Sequence, residues 1–226
     1  MKPRLLAIGD IHGCFKPFRI MVEEEIRLSK TDKLILLGDY IDRGQQSKEV
    51  VDYIMRLMGD GYDIVALRGN HEDMFLKGLV EDYYLFNWLM NGGYETMDSF
   101  NITHPDQMPA DYLRFFRNLK LYYPYQNFLF VHAGFNDEAA DPFKDEYHMV
   151  WRRLYYYTHP LLKDKTIVHG HRAEGLEYLR MCIDSNARVI DVDTGCVYTD
   201  IPELGHLSAV DLTNRKIYSV RNEEVG

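Results

Sequence analysis

Leu34-Ile35-Leu36-Leu37-Gly38-Asp39-Tyr40-Ile41-Asp42-Arg43-Gly44 places four branched apolar residues directly before a turn that carries two carboxylates and a guanidinium. A short continuous apolar run closed by turn residues predicts a strand buried on both faces. The same grammar recurs on either side. Residues 5–8 form an apolar run that ends in Gly9-Asp10, and residues 64–67 form another that ends in Arg68-Gly69-Asn70. Between these runs lie 15–28 and 47–58. The second has Val50, Val51, Ile54 and Leu57 at helical spacing, with Ser47 as N-cap. The first 70 residues thus predict β-α-β-α-β, a parallel sheet with crossover helices.

Further along, 72–89 predicts one helix, broken by Asn91-Gly92-Gly93. From there to about 118 the chain reads as helical or irregular, rich in aromatics. Residues 128–131 end in His132-Ala133-Gly134, and 166–168 end in His169-Gly170-His171. The tail alternates over 189–192, 207–212 and 216–220, with Thr213-Asn214-Arg215 as a hairpin turn. No repeat, low-complexity tract or linker divides the chain, so 226 residues predict one domain.

Composition narrows the class. With 46% hydrophobic and 27% charged residues the chain reads as globular, neither disordered nor fibrous. A net charge of −9 argues against extended nucleic-acid or anionic-membrane binding. No apolar run reaches membrane-spanning length, and 5–8 is too short for a signal peptide. Three widely spaced cysteines, Cys14, Cys182 and Cys196, predict neither a disulfide framework nor a thiolate zinc site, and fit a reducing cytoplasm.

Polar residues recur just past the apolar runs: Asp10, Asp39, Asn70, His132 and His171. Ligands bind at the carboxyl ends of strands in open α/β sheets, so these five endings predict one convergent site. Each has a bland alternative: a chance Asp-x-His pair, an Asp cap with a surface ion pair, an Asn turn, a satisfied histidine. Their number and order outweigh those alternatives. Carboxylate, imidazole and amide oxygen form a donor set suited to manganese, iron or zinc rather than calcium.

The ordered set GDIHG (9–13), GDYIDRG (38–44), GNHE (69–72), HAG (132–134) and HGH (169–171) resembles the phosphoprotein-phosphatase family of calcineurin-like metallophosphoesterases. It is most similar to the bacterial and phage serine/threonine protein phosphatases and the related symmetrical diadenosine tetraphosphate hydrolases. The resemblance spans about residues 4–212. It implies an α/β fold, the metallophosphoesterase four-layer α/β/β/α sandwich, as a single domain over 1–226 with a helical cap insertion at about 74–127. It implies two divalent metal ions, manganese first and iron or zinc as alternatives. Asp10 and His12 would hold one ion, Asp39 would bridge both, and Asn70, His132 and His171 would hold the other. Arg43, Asn70 and Arg153 would bind phosphate, Arg153 being preferred to Arg152 after Trp151. His169 would stand behind the ligands, and Asp193 would support a metal-binding histidine from behind. His171 is followed by Arg172-Ala173, so the further histidine of broader metallophosphoesterases is absent, as this family requires.

Two ions bridged by one carboxylate sit about 3.5–4 Å apart and lower the pKa of a shared water, which supplies hydroxide for in-line attack on phosphorus. His71, left over as a ligand, would protonate the leaving alkoxide, and Asp42 would raise its pKa and fix its orientation. The alcohol is open. A phosphorylated protein or peptide comes first, and a small phosphate ester or dinucleotide such as diadenosine tetraphosphate second. A binding module with a decayed metal site comes third. The aromatics of the cap read as packing rather than as a substrate cage. His104, His148, His159 and His206 read as surface or structural residues. Two carboxylates facing two divalent ions also leave a cationic pocket inside an acidic chain.

Overall fold

The computed structural model describes residues 3–152 and 154–223. Nine strands form two sheets among the described residues. The first has the order β3-β2-β1-β8-β9, with β1 (Leu5–Ile8), β2 (Lys33–Leu36), β3 (Asp63–Ala66), β8 (His206–Asp211) and β9 (Lys216–Arg221). The second has the order β4-β5-β6-β7, with β4 (Tyr122–Tyr125), β5 (Phe128–Val131), β6 (Thr166–His169) and β7 (Val189–Asp191). Strands β1, β2 and β3 run parallel, as do β5, β6 and β7. The β8–β9 hairpin and β4 pair antiparallel to their neighbours.

The continuous apolar runs are explained by what lies on each face. Leu6, Ile8, Leu34 and Leu36 point to a core shared with α1 (Phe15–Ile20), α2 (Ser47–Gly59) and the cap helices. Leu5, Ala7, Ile35 and Leu37 point the other way, toward Phe130, Val168 and Ile190 of the second sheet. The far face of that sheet, Leu129, Val131 and Ile167, is covered by Met149 of α7 (Glu146–Trp151) together with Phe135, Tyr157 and Leu162 from coil. The outermost layer is therefore one short helix plus irregular chain. Helix α8 (Leu176–Asp184) sends Leu179, Cys182 and Ile183 into the core between the sheets. Each fully buried Leu, Ile or Phe contributes about 1.5–3 kcal/mol, so the two-faced strands anchor the fold.

Four local expectations are corrected. Gln46, not Ser47, is the N-cap of α2, and it makes no side-chain cap; the Ser47 hydroxyl instead accepts the Asp42 N–H at 3.1 Å. The 15–28 segment is α1 followed by a π-turn that ends at Glu25. The helix expected over 72–89 is two helices, α3 (Asn70–Gly78) and α4 (Asp82–Trp88), folded against each other. Residues 122–125, placed in the cap from sequence, are an edge strand of the second sheet. Helices α5 (Tyr94–Ser99) and α6 (Ala110–Arg117) lie between α4 and β4 in the chain.

The cap aromatics divide. Trp88 and Phe116 are buried in the core, as expected, whereas Tyr83, Phe86 and Tyr94 are exposed. No helix of the described residues is long and apolar enough to cross a membrane.

Candidate metal centre

The loops after β1, β2, β3, β5, β6 and β7 meet at one edge of the two sheets and bring the polar motif residues together, His169 excepted. Asp39 is central. Its Oδ2 lies 3.5 Å from His12 Nε2, 3.5 Å from His132 Nε2 and 4.0 Å from His71 Nε2. Two groups of converging donor atoms share it: His12, Asp39 and His71, and Asp39, His132 and His171, each within 4.8 Å of one another. Ten described non-glycine residues have positive φ, and five of them, His12, Asp39, Asp42, Arg43 and His171, are motif residues. Backbone strain is concentrated where the side chains must converge.

Backbone carbonyls fix the imidazoles. A carbonyl only accepts, so His12 Nδ1–H donates to Ile41 O at 3.0 Å and His132 Nδ1–H to Leu37 O at 2.9 Å. Their Nε2 atoms are therefore lone pairs. His132 Nε2 lies 3.0 Å from Asn70 Oδ1, which is 2.9 Å from His171 Nδ1. Acceptor atoms crowded on an ionised carboxylate suit a cation, and the neutral histidines have the state a metal requires. Burial pushes His132 below its ordinary pKa, and burial, Arg43 and His71 push His12 well below it. Burial alone would raise Asp39, yet His132, His71, His12 and His171 hold it below the usual range.

His71 behaves differently. Its Nδ1 lies 2.7 Å from Asp42 Oδ2. Burial would lower its pKa, but the Asp39 charge and the Asp42 hydrogen bond override this and raise it. Asp42 is held by Trp88 Nε1–H at 3.0 Å and the Thr96 hydroxyl at 2.6 Å on its other oxygen.

Asp10 lies outside both converging groups. Its carboxylate accepts the His171 N–H at 3.1 Å and is packed beside Asp193. Asp193 thus stands behind a carboxylate, not behind a histidine as the sequence reading had it. Burial, then Asp193 and Asp39, lift Asp10 well above the carboxylate range. Burial lifts Asp193 to about 6. A Cβ at Gly170 would lie 2.2 Å from Asp10 Oδ1, and one at Gly69 would lie 2.0 Å from Asp39 Oδ1, so only glycine lets these loops approach the carboxylates.

His169 stays off the centre: its Nδ1 lies 2.9 Å from Gly170 O, and burial lowers its pKa to about 4. Arg43 Nη1 donates to His12 Nε2 at 2.7 Å, and its guanidinium lies 5.6 Å over the Tyr198 ring. Arg153 lies outside the described residues. His104 and His148 pair with nearby surface carboxylates, away from the centre.

Sequence reasoning passed over Glu72. Fully buried, it accepts N–H bonds from Asp39, Tyr40 and Gly69 at 3.0, 2.7 and 2.9 Å, tying the β2 loop to the β3 loop. Burial and the Asp39 charge push it up to about 8, against the pull of those donors. Its place as the last letter of GNHE was the available signal.

The calcineurin-like phosphoesterase model matches residues 3–207. The chain belongs to that family. This calcineurin-like phosphoesterase is 29% identical over 177 residues to serine/threonine-protein phosphatase 2 of Salmonella typhimurium, covering 73% of this chain and 77% of that one. It is 40% identical over 73 residues to the symmetrical bis(5'-nucleosyl)-tetraphosphatase of Aromatoleum aromaticum, covering 32% of this chain and 26% of that protein. A crystal structure of a putative diadenosine tetraphosphatase superposes with a TM-score of 0.69 at 20% identity, covering 100% of this phosphoesterase and 96% of that chain. Membership makes the chain a metal-dependent phosphoric ester hydrolase with a two-metal centre.

Proposed function

We propose that this phosphoesterase removes phosphate from phosphoserine and phosphothreonine in proteins. The observation that carries the reading is the pair of His/Asp groups sharing Asp39, with the Asp42-bonded His71 beside them. Asp10, His12 and Asp39 would hold one divalent ion, and Asp39, Asn70, His132 and His171 the other. Nitrogen and oxygen donors without thiolate favour manganese, with iron or zinc next. Two such ions acidify water and neutralise phosphoryl oxygens.

The chain's own residues do the rest. Arg43 presents a planar fork to two phosphoryl oxygens, with the Asn70 amide beside it. His71 falls inside the first group of donors, but its Nδ1 is engaged by Asp42 and the Asp39 and Asp42 charges raise its pKa, favouring the acid form. It therefore acts as the acid for the leaving alkoxide rather than as a ligand, with Asp42 fixing its orientation. The three buried free thiols support a cytoplasmic setting.

The relative matched over most of its length, named a serine/threonine-protein phosphatase, supports the choice of alcohol. A second reading, symmetrical hydrolysis of dinucleoside tetraphosphates, is favoured by the relatives named for it and by a cavity beside Arg43. The test is turnover of a phosphoserine peptide against diadenosine tetraphosphate with added manganese. A preference for the dinucleotide by orders of magnitude replaces the first reading with the second. Failure to hydrolyse even p-nitrophenyl phosphate removes both.

A further inference from the structure

Of the twelve large apolar side chains left exposed among the described residues, five fall within 80–94: Val80, Tyr83, Phe86, Met90 and Tyr94. Each is more than half exposed. They follow one another at intervals of three, three, four and four, the spacing of neighbours on one helix face. Tyr83 and Phe86 belong to α4, Met90 to the π-turn Leu89–Gly93 that continues it, and Tyr94 opens α5. Such a ridge exposes on the order of 500 Å² of apolar surface, a size that marks an interaction site.

The inner side of the same segment grips the candidate centre. Trp88 and Thr96 bond Asp42 at 3.0 and 2.6 Å. The Arg43 N–H donates to Gly92 O at 3.4 Å, and a Cβ at Gly92 would lie 2.4 Å from Arg43 N. Met90 and Tyr94 each stand two residues from Gly92, so their Cα atoms lie within about 7.6 Å of it. A polypeptide whose phosphoserine reaches Arg43 therefore has its flanking residues within reach of the ridge.

Charge describes the occupant. Residues 78–113 contain no lysine or arginine and six Asp or Glu. The cations at the two ends are already spent, Lys77 on Asp73 at 2.7 Å and Arg114 on Asp111 at 3.2 Å. Asp82 stands one turn before Phe86, and Asp98 one turn after Tyr94, both exposed. An acidic partner or an anionic membrane would be repelled here, whereas a segment of apolar and basic side chains meets both the ridge and its rim.

We propose that this ridge docks the chain that flanks the phosphorylated residue of a protein substrate, and that it selects segments rich in apolar and basic side chains. The proposal rests on the protein-phosphatase reading above and narrows it to a sequence context.

The probes are two phosphoserine peptides of equal length, one flanked by Leu, Phe and Arg, the other by Ala and Glu, given to the manganese-loaded protein. The first should show a KM about tenfold lower, the worth of one well-placed aromatic contact. The double variant Phe86→Ser/Met90→Ser should erase most of that margin, and Glu81→Lys/Asp82→Lys part of it, with p-nitrophenyl phosphate turnover unchanged in both. Equal KM values for the two peptides, or a margin that survives both variants, overturns the ridge. So does a fall in p-nitrophenyl phosphate turnover, which would mean that the segment acts on Asp42 and Arg43 instead of docking. A dimer in sedimentation that Phe86→Ser/Met90→Ser dissolves, with the margin intact, gives the face to a second copy of the chain and overturns it too. If neither peptide is hydrolysed, the protein-phosphatase reading fails. Fluorescence anisotropy of the unphosphorylated Leu/Phe/Arg peptide then still decides the ridge: saturable binding lost in Phe86→Ser/Met90→Ser supports it, and no binding overturns it.

Discussion

Asp42 and Asp10 are both buried carboxylates in strand-end loops beside Asp39, and the fold treats them in opposite ways. Asp42 has donors on both oxygens, His71 on one and Trp88 and Thr96 on the other. Asp10 is packed against and hydrogen-bonded to Asp193, with Asp191 adding further negative charge, and it also accepts the His171 N–H. One side of the cleft is complete within the polypeptide. The other collects buried acidic groups that raise one another's pKa, a grouping that a cation would relieve. The acid machinery is thus built by the chain alone, whereas the electrophilic machinery is left for ions to finish.

The strongest way to break this contrast is Asp39→Asn. It should abolish binding of both ions, by metal analysis of the purified protein, and bring turnover to background. A variant that retains two ions refutes the shared bridge. His71→Asn should keep both ions yet lose about 10²–10⁴ in kcat; full turnover would remove His71 from the acid role.

Glu72→Gln turns an N–H-bearing amide toward backbone N–H donors and should cost about 1–3 kcal/mol in chemical denaturation. Unchanged stability would mean that the two loops hold their register without it.

Asp193→Asn sharpens the crowded side. The Asp193 carboxyl sits at about 6 in the fold against 3.8 as a free group. Its charge therefore begins to destabilise the fold as pH rises above the lower value, and does so fully above the higher one. The variant should raise the melting temperature of the metal-free protein above pH 6 by the equivalent of about 1–3 kcal/mol, and leave it unchanged in strong acid. Equal gains at both pH values would sink the charge explanation.

The smallest effect is on the complete side. His71 is raised by Asp39 and Asp42, so its acid form persists above its ordinary pKa and is lost as pH climbs through the folded value. Asp42→Asn should move the basic limb of the kcat profile to lower pH by about one unit. A limb that stays in place would assign it to another group.

The sheets were legible because β1, β2, β3, β5 and β6 are buried on both faces, which leaves continuous apolar runs closed by Gly, His or Arg-Gly. Strand β4 was not legible. It is an edge strand of three tyrosines around Pro124, and an edge tolerates proline where a central strand does not. The break between α3 and α4 has no proline or glycine in Leu79-Val80-Glu81. It is set by packing, with Gly78 close against Leu85.

The same division runs through the site. The histidines and carboxylates announced themselves at strand ends. Trp88 and Thr96, 46 and 54 residues beyond Asp42, carry no local sign that they bond to it. The Glu72 bonds to 39–41 depend on two loops meeting, which no window of sequence contains.

Asp10, His12, Asp39 and Asn70 hang from the first sheet, and His132 and His171 from the second. His132 stitches the two through Leu37 O. The gap between the sheets therefore acts as the caliper of the centre. Ala7, fully buried between the sheets, sits in its jaws. A bulkier side chain there would work as a shim, spreading donors that it never touches. The chemistry at the cleft is in this sense metered by the thickness of an apolar layer.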